Sequence, residues 1–310
     1  MLHLVARSQE VGGLDLMRVQ AAPAVSSRPL PLIAPMIYHM SARGRAPKAE
    51  AVALSLYQMF DKKSGLPRFG SRSALLAHFQ LADNTVIILN GTDHDPPLER
   101  WWKLEHRVAV TSNLARLGID LVTTPNYSLF DDVPRPDNFY NMKRIALIWS
   151  EMQREGLPCA LHLNARTDRD WERWTEFLNA HPEITYVAFE FATGAGARSR
   201  IKWHVAQLSA LAGAVKQPLH LMVRGGFGEF APLRKAFAGL TVIETNAFMK
   251  SQKRRRAVIR GERLTWEPAL TATGATIDDL FDENIRTMLE HVGNEIGGHE
   301  PPLSALSKSA

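Results

Sequence analysis

Seven short apolar runs recur along the chain, and each stops at or beside a polar or charged residue: Leu32 to Tyr38, Thr85 to Asn90, Ile119 to Thr124, Pro158 to Asn164, Ile184 to Ala192, Pro218 to Arg224 and Leu240 to Asn246. Their length and β-branched content suit buried strands. Between them lie stretches of helical spacing: Pro47 to Phe60, with Ala51, Leu54, Tyr57 and Met59 as its stripe, then Ser71 to Phe79, Leu98 to Leu117 and Asn138 to Glu155. Asp168 to Asn179, Arg198 to Val215, Pro232 to Phe237 and Thr276 to His291 continue the series. Gly118 and Gly156 follow two of these helices in the manner of C-caps. Strand alternating with helix is the pattern of a parallel sheet covered by helices. No glycine-rich dinucleotide turn follows the first run, so the expected fold is a TIM-like (β/α)8 barrel, imperfect or incomplete unless the extended piece near Val258 supplies an eighth strand.

Period-two geometry assigns the faces of the runs. In Ile184 to Ala192 the bulky Val187, Phe189 and Phe191 suit contact with helices, which leaves Ala188, Glu190 and Ala192 pointing inward. The same reading groups Ala160 with His162 and Asn164, His220 with Met222 and Arg224, and Val242 with Glu244 and Asn246, with Asn90, Thr124 and Asn126 in register. Polar groups from several strands thus converge on one barrel mouth, where parallel strands carry their chemistry. Glu190 and Arg224 as a structural ion pair, and His162 as a hydrogen-bonded core histidine, are the alternative. Each buried polar group left unpaired costs about 1–3 kcal/mol, so a whole cluster argues for a pocket.

Composition bounds the rest. The chain has 310 residues, 45% of them hydrophobic, ample for one large α/β domain over 31–296, with an irregular arm at 1–30 and a disordered tail at 297–310. The lone cysteine, Cys159, excludes a disulfide framework or a cysteine-ligated iron–sulfur cluster within one chain and favours a reducing compartment. The opening residues lack a signal-peptide pattern and no run is long enough to cross a bilayer, so the expectation is a cytoplasmic protein without a membrane partner.

The formal charge of +5 is concentrated in one segment. Seven Lys or Arg residues lie between Lys250 and Arg263 against the single acid Glu262. Lys253, Arg254, Arg255 and Arg256 would suit nucleic-acid phosphates, or simply a solvated loop, since no aromatic residues interleave with them. Two glycine-rich stretches follow strands: Gly194 and Gly196 within 193–197, and Gly225 and Gly226 within 224–228. Their amides could cradle a phosphate, or the glycines could merely permit tight turns.

These residues suggest a barrel enzyme acting on an anionic, nucleotide or nucleic-acid-related substrate. Glu190 and Glu244 would serve as general acid and nucleophile or base at a glycosidic bond, with His162 assisting and Asn90, Asn126, Asn164, Arg224 and Asn246 binding substrate. One alternative is a non-catalytic nucleic-acid-binding or assembly protein. Another is a metal-assisted phosphodiesterase using Asp93, Asp95, His162 and Glu190; no spaced metal motif accompanies them, and no cofactor is predicted.

The segment from Thr123 to Pro134, with its Pro-Asn-Tyr-Ser turn at 125–128 and Asp-Val-Pro turn at 132–134, resembles an uncharacterised family of bacterial, phage and plasmid genomes known only as a domain of unknown function. The resemblance runs roughly from Val86 to Arg224 and includes the Gly-Ile-Asp strand entry at 118–120 and the helix around Asn141 to Arg144. Asn126 stands where members usually carry Asp. The resemblance implies a mobile-element or phage setting and no particular reaction.

Overall fold

The computed structural model describes residues 2–197, 199–272 and 274–297. Eight parallel strands form the barrel: β1 (Ile33–Pro35), β2 (Ala51–Ser55), β3 (Val86–Asn90), β4 (Leu121–Thr123), β5 (Cys159–His162), β6 (Tyr186–Glu190), β7 (His220–Arg224) and β8 (Gly239–Glu244). They run in the order β1-β8-β7-β6-β5-β4-β3-β2. Met36 bridges Ala53 in parallel, with the Ile37 amide donating to the Ala53 carbonyl at 2.9 Å, and so nearly closes the ring. The helices are α1 (Leu2–Glu10), α2 (Arg72–Phe79), α3 (Asp95–Trp102), α4 (Arg107–Arg116), α5 (Arg135–Arg154), α6 (Asp168–Ala180), α7 (Ile201–Ala214), α8 (Phe230–Ala236), α9 (Asn246–Gln252) and α10 (Asp278–Glu295). An antiparallel hairpin of β9 (Arg255–Arg260) and β10 (Arg263–Pro268) lies between α9 and α10 in the chain. This is a TIM-like (β/α)8 barrel.

Two apolar clusters follow from strand alternation. Inside the barrel sit mostly small residues, Ala34, Ala51, Ala53, Ala160 and Ala188, with Met36, Ile88, Leu121, Met222 and Ile243 filling the remaining space. Outside, residues such as Val52, Leu54, Leu161, Leu221 and Val242 pack against the helix layer with Trp101, Trp149 and Trp174. Removing these two surfaces from water is the main drive for the fold.

The second strand corrects the expected helix at Pro47 to Phe60. The sequence Ala-Val-Ala-Leu-Ser at 51–55 forms β2, followed by a 3₁₀ turn at Leu56–Gln58. Its alanines fit the narrow interior while Val52 and Leu54 enter the outer core, and pairing with β3 satisfies its backbone. Val258 is therefore not the eighth strand; it pairs with Thr265 in the hairpin, outside the barrel. The expected helix Leu98 to Leu117 is broken in two, and Arg107 at the break donates to the Trp102 carbonyl at 2.6 Å. α3 starts earlier than expected because Pro96 and Pro97 occupy its first turn, where proline loses no helical hydrogen bond. α7 begins at Ile201; Arg198, its expected start, lies outside the described residues, as does the expected tail from 298 onward.

The arm at 1–30 is partly helical and fastened along α5. Arg7 pairs with Asp137, the Tyr140 hydroxyl donates to Glu10 at 2.8 Å, and the buried Lys143 ammonium donates to the Asp15 carbonyl at 2.5 Å. Arg28 grips Asp120, whose carboxylate also accepts the Ile87 amide at 2.7 Å. Among the described residues, no helix is long and apolar enough to cross a membrane.

Candidate functional site

Register defines the upper layer of the barrel. Ser55 is opposite Asn90, Glu190 opposite Arg224 and His162 opposite Ala188, all on the face that lower down carries the interior alanines. Glu190 and Arg224 form an ion pair through the arginine Nε, and the Ala192 amide donates to the other carboxylate oxygen at 2.6 Å. Burial raises the pKa of Glu190 above the ordinary range, against the opposing pull of Arg224. Tyr38 stands where the fields of Arg224, Glu244 and Glu190 overlap, and burial raises its hydroxyl pKa.

His162 is 3% exposed, and neither ring nitrogen has a hydrogen-bond partner. Burial pushes its pKa down to about 3 against an opposing interaction with the Thr124 backbone, with the charge of Arg224 a smaller lowering influence, so the ring is neutral near pH 7. Such a ring suits hydrogen bonding better than proton exchange. Asn90 turns back onto its own loop and donates to the Thr92 carbonyl at 2.9 Å.

Beside Glu190, a cavity of about 240 Å³ opens among the loops that follow β3, β4, β5 and β6. Asn126, Asn164, Arg166, Glu190, Gly194 and His204 line it, with Phe130, Leu163 and Phe189 as apolar wall. The Asn164 amide donates to Asn126 Oδ1 and to the Tyr127 carbonyl, both at 3.0 Å, which fixes the two amides relative to each other. Arg166 is anchored by Nε on the Leu129 carbonyl at 2.7 Å. Partial burial lowers its pKa against the opposing charge of Asp131, and among the described residues no carboxylate lies within ion-pair distance of it; Asp131 itself is paired with Arg200. The cavity thus brings together Asn126, Asn164, Glu190 and Gly194 from the sequence prediction and adds Arg166 and His204. Arg166 lies two positions beyond Asn164 on the inward pattern, a signal that extending the period past the strand end would have caught. His204 lies within a helix, where no comparable pattern singles it out.

Glu244 and Asn246 do not join this cavity. The interior residue of β8 is Ile243, and Val242 packs outside, so the expected inward set is displaced by one residue and its face is reversed. The Glu244 carboxylate accepts the amides of Asn246 and Ala247 at 2.5 and 2.8 Å and caps α9. Burial raises its pKa to about 7 despite those bonds. Asn246 lines a separate groove between the hairpin and α10. Thr124 is shifted in the same way: Thr123 follows the inward face of Leu121, while Thr124 Oγ1 accepts the His162 amide at 2.9 Å.

The glycine loops are accounted for by geometry. Gly225 and Gly226 have φ of 76° and 86°, and an added Cβ would stand 2.6 Å from the Ala192 nitrogen or 2.8 Å from the Phe191 ring. The following amides of Gly228 and Phe230 donate to the Glu295 carboxylate at 2.9 and 2.7 Å, so an internal anion occupies that loop. Gly196 passes so close to the Phe191 carbonyl that a Cβ would lie 1.8 Å away, and its amide donates to the Thr193 carbonyl. Of the four glycines, only Gly194 lines the cavity.

The basic segment is also largely engaged. Arg254 donates to the carbonyls of Ala275 and Thr276, Arg255 to that of Trp266, and Arg256 pairs with Glu283 at 3.0 Å, while Lys253 caps α9 through its backbone amide and is exposed. These bonds fasten the hairpin to the chain around it. Asp93 bonds to His94, and Asp95 opens α3. Among the described residues no group of three or more His, Cys, Asp or Glu side chains is placed to hold a metal, so the set expected of a phosphodiesterase does not assemble.

No family model and no curated protein matches the chain. Among solved structures, it is similar to the tryptophan synthase alpha chain from Legionella pneumophila subsp. pneumophila, with a TM-score of 0.45 and 13% identity over 88% of this chain and 94% of that one. A putative phosphonomutase from Burkholderia cenocepacia J2315 gives 0.41 and 14% over 80% and 96%. 2,3-Dimethylmalate lyase, a member of the PEP mutase/isocitrate lyase superfamily, gives 0.40 and 13% over 74% and 79%. The expected glycosidic chemistry is withdrawn: Glu190 lines the cavity, whereas Glu244 lies outside it and is spent on the first amides of α9.

Proposed function

We propose that the chain is a barrel enzyme whose mouth takes a small polar anion and whose Glu190 moves a proton on it. The observation that carries this reading is Arg166, a partly buried guanidinium that makes no ion pair with a carboxylate among the described residues and lines the same cavity as Glu190. A charge moved away from water and left unpaired is costly, and an anion from solution supplies the missing partner. The volume, about 240 Å³, suits a small ligand such as a short-chain acid, phosphate or sulfate.

The residues divide the work by chemistry. Arg166 binds the anionic end. The Asn126–Asn164 pair, locked by its own hydrogen bond, orients a hydroxyl or carbonyl on the ligand. Glu190 has its pKa raised by burial, so it holds a proton more readily than a surface carboxylate, while Arg224 fixes its direction.

Titration calorimetry with sulfate and with malonate tests the reading. Binding is expected in the wild type, weakened about tenfold or more by Arg166→Gln, in line with loss of a charge-assisted bond, and unchanged by Arg256→Gln on the hairpin. Absence of binding to any small anion, or equal affinity in Arg166→Gln, would refute it.

A further inference from the structure

His204 stands on α7 with 1% of its surface exposed, in the wall of the cavity that Arg166 lines. Its ring packs against Trp203, Phe189 and Trp171 at centroid distances of 4.6, 5.1 and 6.1 Å. Among the described residues neither Nδ1 nor Nε2 has a hydrogen-bond partner. A buried imidazole at a polar cavity with both nitrogens free is positioned to receive a ligand group.

The charges around it point the same way. Arg200, just before α7, pairs with Asp131 at 2.8 Å; the same carboxylate acts on Arg166 from beyond ion-pair distance, and among the described residues no other carboxylate pairs with Arg166. Asp168, at the start of α6, accepts from the side chains of Trp203 and Gln207. Glu190, farther along the cavity lining, is held by Arg224, and Asp93 at the rim is bonded to His94. Among the described residues no acid therefore bonds to His204, while burial and then the charges of Arg200 and Arg166 depress its pKa to about 4.

We propose that His204 is a second anion ligand beside Arg166, so that the cavity loads its anion together with a proton. This rests on the reading of the cavity as an anion site. An anion seated on Arg166 offsets the positive field that adds to burial in keeping the imidazole neutral, and offers the ring an acceptor. The ring takes one proton from solvent and donates a hydrogen bond to the anion; no other bond is made or broken. Because the protonated ring favours the anion, affinity rises as pH falls, by up to about tenfold per pH unit between the free and bound pKa values.

The test is calorimetry with sulfate, which does not titrate in this range, at about pH 6, close to the ordinary histidine range, in two buffers of different ionisation enthalpy. The expected result is net uptake of a fraction of a proton per sulfate bound, with weaker binding at higher pH. His204→Phe keeps the ring stack, removes both nitrogens and is expected to abolish the uptake. Ring NMR of the wild type gives the same information without a variant: the His204 titration should move to higher pH when sulfate is added. If sulfate binds and Arg166→Gln weakens it, yet no proton is taken up and the ring titration does not move, the role of His204 is overturned while the anion site stands. If sulfate does not bind at all, both fall together.

Discussion

Glu244 carries a buried carboxylate at the N-terminus of α9, and its removal should change how stability depends on pH. Its pKa rises from the ordinary 4.5 to about 7 in the folded protein, first through burial, with the amides of Ala247 and Asn246 pulling the other way. The folded chain thus holds this proton more tightly than the unfolded chain. Its favourable contribution is complete below the unfolded value and is lost as pH rises through the folded one. Each unit is worth about 1.4 kcal/mol, so the whole shift amounts to about 3 kcal/mol. Glu244→Gln keeps the size of the side chain and one acceptor for the helix amides but removes the titration. Urea unfolding at intervals from about pH 4 to pH 8, in wild type and variant, isolates the effect, because all other titrating groups cancel in the difference. The wild type should lose about 3 kcal/mol more than the variant across that interval. Parallel profiles would show that the carboxylate is either solvated or not displaced in pKa, and the account of its burial would be wrong.

Arg224→Gln should be most damaging at high pH, costing about 3 kcal/mol, because it leaves the Glu190 carboxylate buried without its cation; the loss should shrink as the medium is acidified and Glu190 takes a proton, as urea titrations would show. Gly91→Ala places a Cβ 2.2 Å from the Thr123 carbonyl oxygen and 2.6 Å from that of Thr124, and should cost more than about 3 kcal/mol. Gly213→Ala, in α7 with nothing within 4 Å of the added atom, should instead gain about 0.5 kcal/mol. The two melting temperatures should move in opposite directions, and equal shifts would contradict the packing described for Gly91.

Much of the barrel was legible because buried parallel strands leave a simple mark, an apolar run closed by a polar residue. Seven strands were found in this way. β2 was missed because its two alanines and flanking Leu56–Tyr57 also fit a helical stripe, and only pairing with β3 distinguishes the two. Face assignment worked for β5, β6 and β7, where His162, Glu190 and Arg224 share the interior side. It failed on β8, where Val242 and Ile243 are equally apolar and nothing local says which faces inward.

The glycine loops and the arginine run show a different limit. Their residue types suit phosphate, yet the groups that satisfy them lie far away in the chain: Glu295 for the Gly228 amide and Glu283 for Arg256. Arg166 shows the converse, since its lack of a carboxylate is visible only once the surrounding loops are in place.

The sequence by itself determined the alternation of strands and helices, the buried polar ends of β5, β6 and β7, and hence the end of the barrel where chemistry can occur. These follow from local periodicity, which is a property of neighbouring residues. Tertiary structure alone decided which charges are neutralised from within and which are left facing the cavity. Pairing energy depends on distance in space, and partners tens of positions apart, such as Arg256 with Glu283 and Gly228 with Glu295, leave no periodic trace along the chain.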